Sequence, residues 1–160
     1  MYIDVVNFLR TLINFQFGLG VGEALLSEDI VKRTNFKFSK RTGRLKHVFL
    51  DNKPYLSIRT NDGFVTLSLL AAKIILEKNI PFKNIIVVDS KFSHMIKHYK
   101  QIPVKFVKQV DPMLKAGSEI IAIDENKNLI GVGRSLLNGE EILLLKRGIA
   151  AKLRKVTKNV

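Results

Sequence analysis

The chain contains no cysteine. That excludes disulfides, thiolate zinc sites and cysteine nucleophiles, and it fits an intracellular protein. No apolar run approaches the ~18 residues that a membrane span needs. The apolar N-terminus is interrupted by Asp4 and Arg10, and no small-residue cleavage site follows it. The expectation is a cytoplasmic protein without a membrane partner. Acidic residues are scarce as well, 14 against 27 lysines and arginines in 160 residues, for a formal charge of +13. With so few acids, ion-pair networks of the kind found in proteins from hot environments cannot use up the lysines. Repulsion among the charges opposes compactness unless something offsets it, so the excess implies a polyanionic partner, preferred here over a solvated basic surface. Both halves share it: residues 1–80 carry 12 basic and 7 acidic groups, residues 81–160 carry 15 and 7.

What is present suffices for a core. At 46% hydrophobic content, the chain can fill one medium domain or two small ones, and nothing suggests disorder. Val5, Phe8, Leu9, Leu12 and Phe15 recur at helical spacing and predict an opening amphipathic helix over residues 3–15, broken by Gly18, Gly20 and Gly22. From Asn35 the period changes to two. Short β-rich runs separated by Asp51-Asn52 and Asn61-Asp62-Gly63 predict an antiparallel meander through Leu67. A helix follows to about Lys78, capped by Ser68 or Thr66, with Leu69, Leu70, Ile74 and Ile75 as its expected buried stripe. Pro81 cannot continue it and marks the expected boundary between a domain of residues 1–80 and one of 81–160.

In the second domain the pattern predicts a strand at 85–88, a helix capped by Asp89-Ser90 to Tyr99, and a strand at 104–108. A central strand is expected at 120–123, apolar on both faces, then a polar turn at 124–128 and a strand at 129–137. A short helix opened by Asn138-Gly139-Glu140-Glu141 and a closing strand at 149–156 complete it.

Several motifs invite chemistry and lose it on context. Gly131-x-Gly133 lacks the third glycine and the following helix of a dinucleotide site, so the glycines are read as permitting a sharp bend or a close backbone approach. Gly18-x-Gly20-x-Gly22 follows a helix and is equally weak. His94 and His98 share a helix face, but the chain offers neither cysteine nor a zincin-type glutamate to complete a metal site. Capping and helix-dipole compensation explain Glu140 and Glu141. No Ser/His/Asp arrangement can be assembled from three histidines, so no metal, cofactor or catalytic constellation is expected.

Two basic clusters carry more. Lys32, Arg33, Lys37, Lys40, Arg41, Arg44 and Lys46 lie between Val31 and Leu50 without one acid. In the closing strand, Lys152 and Arg154 alternate with Ala151 and Leu153, giving one apolar and one cationic face, extended by Lys155 and Lys158. Such a face beside a lysine-bearing helix can track a phosphate backbone. The bland alternative is an edge strand guarded by lysines against aggregation.

The order of these motifs resembles a known family. Ile85-Ile-Val-Val-Asp89, Val104-Lys-Phe-Val107, Asp111-Pro112, Gly117-Ser-Glu119, Ile130-Gly-Val-Gly-Arg134, Gly139-Glu-Glu141 and Arg147-Gly148 are similar to a PUA domain. That domain is the pseudo-barrel named after pseudouridine synthases and archaeosine transglycosylases. Upstream, Gln16-Phe-Gly18, Gly22-Glu-Ala-Leu25, Arg41-Thr-Gly-Arg44, Arg59 with Asp62-Gly63, and Ala71-Ala-Lys73 resemble the accessory region preceding it in archaeal tRNA-guanine transglycosylases. The resemblance implies an α+β fold: an N-terminal α+β accessory domain followed by a C-terminal PUA pseudo-β-barrel. The family's catalytic barrel, with its aspartate chemistry and cysteine-rich zinc site, has no counterpart in this short cysteine-free sequence. Some archaea carry the catalytic and RNA-binding parts as separate polypeptides, so a non-catalytic subunit role follows. One departure stands out: where the family has a glycine between the first PUA helix and the next strand, this sequence has His98-Tyr-Lys-Gln101. There Tyr99 could stack on an unpaired base and Lys100 could meet a phosphate.

The resulting expectation is a non-catalytic protein that binds structured RNA, tRNA first, with a transglycosylase catalytic subunit as a further partner. The RNA site is assigned to Lys91, Lys97, Tyr99, Lys100, Lys105, Lys152, Arg154 and Lys155. Lys37, Lys40, Arg41, Arg44 and Lys46 form a secondary patch that extends that surface or meets the partner. Three alternatives stay open: a PUA-containing translation or ribosome-maturation factor binding rRNA, an enzyme of unknown chemistry, and a module whose basic face meets an acidic subunit.

Overall fold

The structure, a computed structural model, describes residues 2–158. It is an α+β chain of two compact units, divided between Phe82 and Lys83.

The first unit opens with α1 (Tyr2–Phe17), followed by two short helices, α2 (Val21–Leu25) and α3 (Glu28–Lys32). An antiparallel meander follows: β1 (Thr34–Phe38), β2 (Leu45–Leu50), β3 (Lys53–Ile58) and β4 (Val65–Leu67), and then α4 (Leu69–Glu77). The meander and its turns match the period-two reading. The helix faces do not match in full. Val6, Leu9, Ile13 and Phe17 are the buried side of α1, while Phe8 and Phe15 are exposed. In α4 the buried positions are Ala71, Ala72 and Ile75, with Leu69, Leu70 and Ile74 only half-buried. The face of α4 that packs towards α2 and β3 thus carries two alanines beside Ile75. Gly22 makes the tight crossing of α2 on α1 possible: a Cβ there would meet the backbone of Arg10, with Cα 2.7 Å away. Gln16 ties α1 to the open edge of the sheet. Its amide donates to Val65 O (3.1 Å) and accepts from Val65 N (2.6 Å), standing in for a strand partner. Tyr55 is fully buried and donates its hydroxyl to Leu25 O (2.6 Å).

The second unit is a curled six-stranded sheet. Its strands are β5 (Ile85–Val88), β6 (Gln101–Pro103), β7 (Val107–Val110), β8 (Glu119–Asp124), β9 (Leu129–Ser135) and β10 (Ile149–Val156). They lie in the order β6-β10-β9-β8-β5-β7. A 3-10 turn (Ser90–Phe92) leads into α5 (Ser93–Tyr99), and α6 (Gly139–Leu144) precedes β10. β8 is buried throughout and pairs on both sides, parallel to β5 and antiparallel to β9, as an apolar central strand should.

The stretch read as one strand over 104–108 is instead a hinge between two. Val104–Phe106 forms a 3-10 turn with β6 before it and β7 after it. Pro103, at φ −62°, directs the chain out of β6. Phe106 then turns inward to stack on Phe92, their centroids 3.9 Å apart. β6 and β7 are the opposite edges of the sheet. Three 3-10 residues rise only ~6 Å, so the sheet must curl until its edges nearly meet. The pseudo-barrel follows from that short connection. Its interior is filled by Ile86, Val88, Ile96, Ile102, Phe106, Ile120, Ile130 and Leu153.

Candidate nucleic-acid interface

The cationic surface of the second unit is built on β9 and β10. Lys152 stands directly opposite Arg134 of β9 and Gln101 of β6, and Arg134 stands opposite Glu119 of β8. Directly opposite residues share a sheet face. Gln101, Lys152, Arg134 and Glu119 therefore form one row across four strands, with Lys152 and Arg134 exposed at its centre.

Two glycines let β10 come this close. A Cβ on Gly133 would run into the Lys152 carbonyl oxygen and the Leu153 Cα (2.7 Å), and one on Gly131 would meet the Lys155 carbonyl oxygen. Both clashes are with backbone, so neither could be relieved by a side-chain rotation. The glycines are thus structural, in keeping with the close-approach reading of the sequence. Between Leu153 and Lys155 the register slips, leaving Arg154 as a bulged extra residue. Its guanidinium turns onto Glu119, with Nη2 2.5 Å from Oε2 and Nη1 3.1 Å from Oε1. The Glu119 side chain is 0% exposed and that of Arg154 40%. Most of the Arg154 charge is therefore offset within the sheet, which separates it from its neighbours Lys152 and Lys155 in the expected site. Both lysines are exposed and carry no ion pair among those described.

The corner between α5 and β6 lies at the end of this row. Lys100 adopts the left-handed conformation (φ 54°, ψ 38°) and accepts a hydrogen bond from Leu153 N at its carbonyl (2.8 Å). It occupies the backbone geometry that favours glycine, within the His98–Gln101 stretch singled out in the sequence. Tyr99 is 66% exposed, with the His98 ring edge-on to it at 4.7 Å between centroids. Tyr99, Lys100, Lys152 and Lys155 are thereby brought together, joined by Arg134, which the sequence reading placed in a motif but not in the site. The signal for Arg134 was the alternation of β9: it follows Gly133 on the face opposite the core.

The remaining expected residues lie elsewhere. Lys91 sits at the far end of the Ser90–Tyr99 helical segment, roughly 13 Å of helix away, where Asp89 accepts from its backbone N–H (3.0 Å) and pairs with Lys108 at 3.7 Å. Lys97 is half-buried on α5. Lys105 follows the other end of β6 and lies over the Phe106 ring at 5.3 Å, next to the turn where Val104 N bonds Gly148 O. In the first unit, Lys37, Lys40, Arg41, Arg44 and Lys46 are all exposed on the β1–β2 hairpin. Its loop is closed by Ser39 N to Arg44 O (2.8 Å) and Gly43 N to Ser39 O (2.9 Å). His47 stands opposite Lys37 and bonds Ser57 Oγ (3.0 Å). Burial, then repulsion from Lys46 and Lys37, holds its imidazole below the usual histidine value.

Among the described residues no group of three or more His, Cys, Asp or Glu could hold a metal ion, and no helix is long and apolar enough to cross a membrane. Glu141 accepts from the Asn138 backbone N–H (2.9 Å), the cap proposed for that carboxylate.

Residues 84–157 match the PUA domain family, and residues 7–81 match the patch-forming C2 domain of tRNA-guanine transglycosylase. It is a PUA-domain protein with a transglycosylase C2 domain ahead of it. The tRNA-guanine(15) transglycosylase of Methanosphaera stadtmanae is 33% identical over 99% of this chain and 23% of its own length. That of Methanococcus maripaludis is 31% identical over 83% of this chain and 20% of its own. This PUA protein thus spans a fifth to a quarter of those enzymes, through accessory and PUA domains and not a catalytic one. In fold it is similar to a hypothetical protein of Pyrococcus horikoshii, with TM-score 0.75 and 16% identity over 99% of this chain and 93% of that one. A PUA domain protein of Thermoplasma acidophilum has TM-score 0.57 and 18% identity over 90% and 94%.

Proposed function

We propose that this PUA protein binds tRNA without catalysing a reaction, as the RNA-holding part of an archaeosine-type tRNA-guanine transglycosylase system. The observation that carries the reading is the exposed cross-strand pair Lys152–Arg134, with Lys155 beside it and the Tyr99–Lys100 corner at its end. Those cations meet phosphates of a helical stem, and Tyr99 stacks on an unpaired base, an interaction worth ~1–3 kcal/mol. Affinity comes from charge and selectivity from RNA shape. Lys37, Lys40, Arg41, Arg44 and Lys46 supply a second contact. The names of the relatives support tRNA as the RNA and the remainder of such an enzyme as the partner.

Fluorescence anisotropy with a labelled tRNA transcript, competed by an rRNA fragment of equal length, tests this. Lys152→Glu/Lys155→Glu should weaken binding by at least tenfold and flatten the plot of log affinity against log salt by ~0.7–0.9 for each phosphate no longer neutralised. Unchanged tRNA affinity would overturn the site. Preference for the rRNA competitor would assign the protein to translation or ribosome maturation instead.

A further inference from the structure

Helix α1 has two apolar faces. Val6, Leu9, Ile13 and Phe17 are buried on one. On the other stand Phe8 and Phe15, exposed by 61 and 72%, and Leu19, 90% exposed, follows in the turn after Gly18. Half-buried Val5 and Leu12 continue the row, whose spacing keeps it on one side of the helix. Phe64, from the turn between β3 and β4, stacks on Phe15 at 6.5 Å and widens the stripe. With ~200 Å² for a large aromatic side chain, the three most exposed residues present roughly 400 Å². The largest patch on an ordinary monomer is ~300–600 Å² and is often functional.

Charge restricts what can cover it. In its 16 residues α1 carries one base, Arg10, and one acid, Asp4, within a chain of net charge +13. Arg10 is committed to Leu26 O, with Nε at 2.9 Å and Nη2 at 2.5 Å. At the edge of the stripe Arg59 lies over the Phe64 ring at 6.0 Å, but it is paired with Asp62 (3.1 Å), so a polyanion would find little to hold it there. A second copy would bring another +13 up against the first, which mutual repulsion opposes. The fitting occupant is a different protein, apolar at its centre and not basic at its rim.

We propose that this stripe docks the catalytic part of a tRNA-guanine transglycosylase. In the relatives that part lies within the three-quarters or more of the length that this chain does not match. The inference rests on the proposed function: RNA is held by β9, β10 and the α5–β6 corner, and α1 holds the enzyme. A stable interface takes ~800 Å² per partner, so the stripe is the apolar centre of a larger contact.

Isothermal titration calorimetry of the full chain with a transglycosylase catalytic chain from the same organism tests the assignment. A 1:1 complex is expected, weakened at least thirtyfold by Phe8→Glu/Phe15→Glu, with circular dichroism and tRNA affinity unchanged. Leu19→Glu, outside the helix, should weaken it about tenfold and guards against a helix defect. No binding by the natural chain, or equal binding by these variants, overturns the proposal. Concentration-dependent self-association abolished by the same variants also overturns it, by giving the stripe to a second copy. Lys152→Glu/Lys155→Glu should lose tRNA and keep the complex. Failure of the RNA reading would thus appear in that variant alone, and failure of the docking reading in the α1 variants alone.

Discussion

Replacing Arg154 by Met separates a structural cation from a binding one. The Glu119 side chain is wholly removed from solvent, and the Arg154 guanidinium approaches both its oxygens, at 2.5 and 3.1 Å. Because the arginine keeps 40% exposure, the desolvation cost of the pair falls mainly on the carboxylate. Without the guanidinium, Glu119 loses the cation that meets both its oxygens, and it either holds its charge with less support or takes up a proton. Protonation sets the ceiling. An ordinary glutamate titrates near 4.3 and each pH unit is worth ~1.4 kcal/mol, so neutralising it at pH 7 costs about 4 kcal/mol. That agrees with the ~3–5 kcal/mol typical of breaking one side of a buried pair.

The pH dependence follows from the same proton. In Arg154→Met the buried carboxyl is easier to protonate folded than unfolded, so the folded state binds the extra proton and stability rises as pH falls. The deficit of about 4 kcal/mol at pH 7 should shrink to ~1 kcal/mol at pH 5. Urea unfolding followed by circular dichroism, at both pH values beside the natural chain, reads it directly. A loss under 1 kcal/mol at pH 7, or one unchanged at pH 5, would refute the reasoning. Lys152→Met, with no ion pair to break, should leave stability within ~0.5 kcal/mol and lower only the affinity for RNA.

Gly133→Ala should cost ~1–3 kcal/mol or more, because its Cβ meets the Lys152 carbonyl and the Leu153 Cα. A melting temperature within 2 °C of the natural chain would show that β10 can move away freely. Lys100→Gly should raise stability by up to ~1 kcal/mol, by relieving a left-handed lysine at φ 54°, and should weaken RNA binding at the same time. Opposite signs in unfolding and anisotropy are the check. His47 is held below its ordinary value of 6.5, so its contribution to stability is fully present above that pH and is lost as pH falls through the depressed value. In an NMR titration, added tRNA should raise its midpoint if the β1–β2 hairpin touches phosphate; an unmoved midpoint would remove the hairpin from the RNA site.

How much of this was legible in the sequence depends on what each residue answers to. The strand at 149–156 was readable because its apolar and cationic positions alternate at period two, and the one at 85–88 because Ile-Ile-Val-Val is a short β-branched run that local pattern decides. Val104–Phe106 was not, because Val-Lys-Phe is strand-like by composition. Only the closure of the sheet, with Phe106 drawn onto Phe92, makes it a turn. The face of α1 was misjudged for a related reason. Apolar residues surround much of that helix, and periodicity cannot say which of two apolar stripes a fold will bury. The site shows the same division. Lys152 was legible as an exposed cation of β10, since Ala151 and Leu153 beside it are apolar, and Lys155 as an extension of the same charge. Arg154, one residue along the same pattern, differs through a bulge that is set by contacts with Glu119, 35 positions away in the chain. A charge run in a sequence therefore identifies a cationic strand, but which of its cations face a partner is decided by register. In this sheet register favours Lys152 with Arg134 over Lys152 with Arg154, and the two pairings predict different variants to lose RNA.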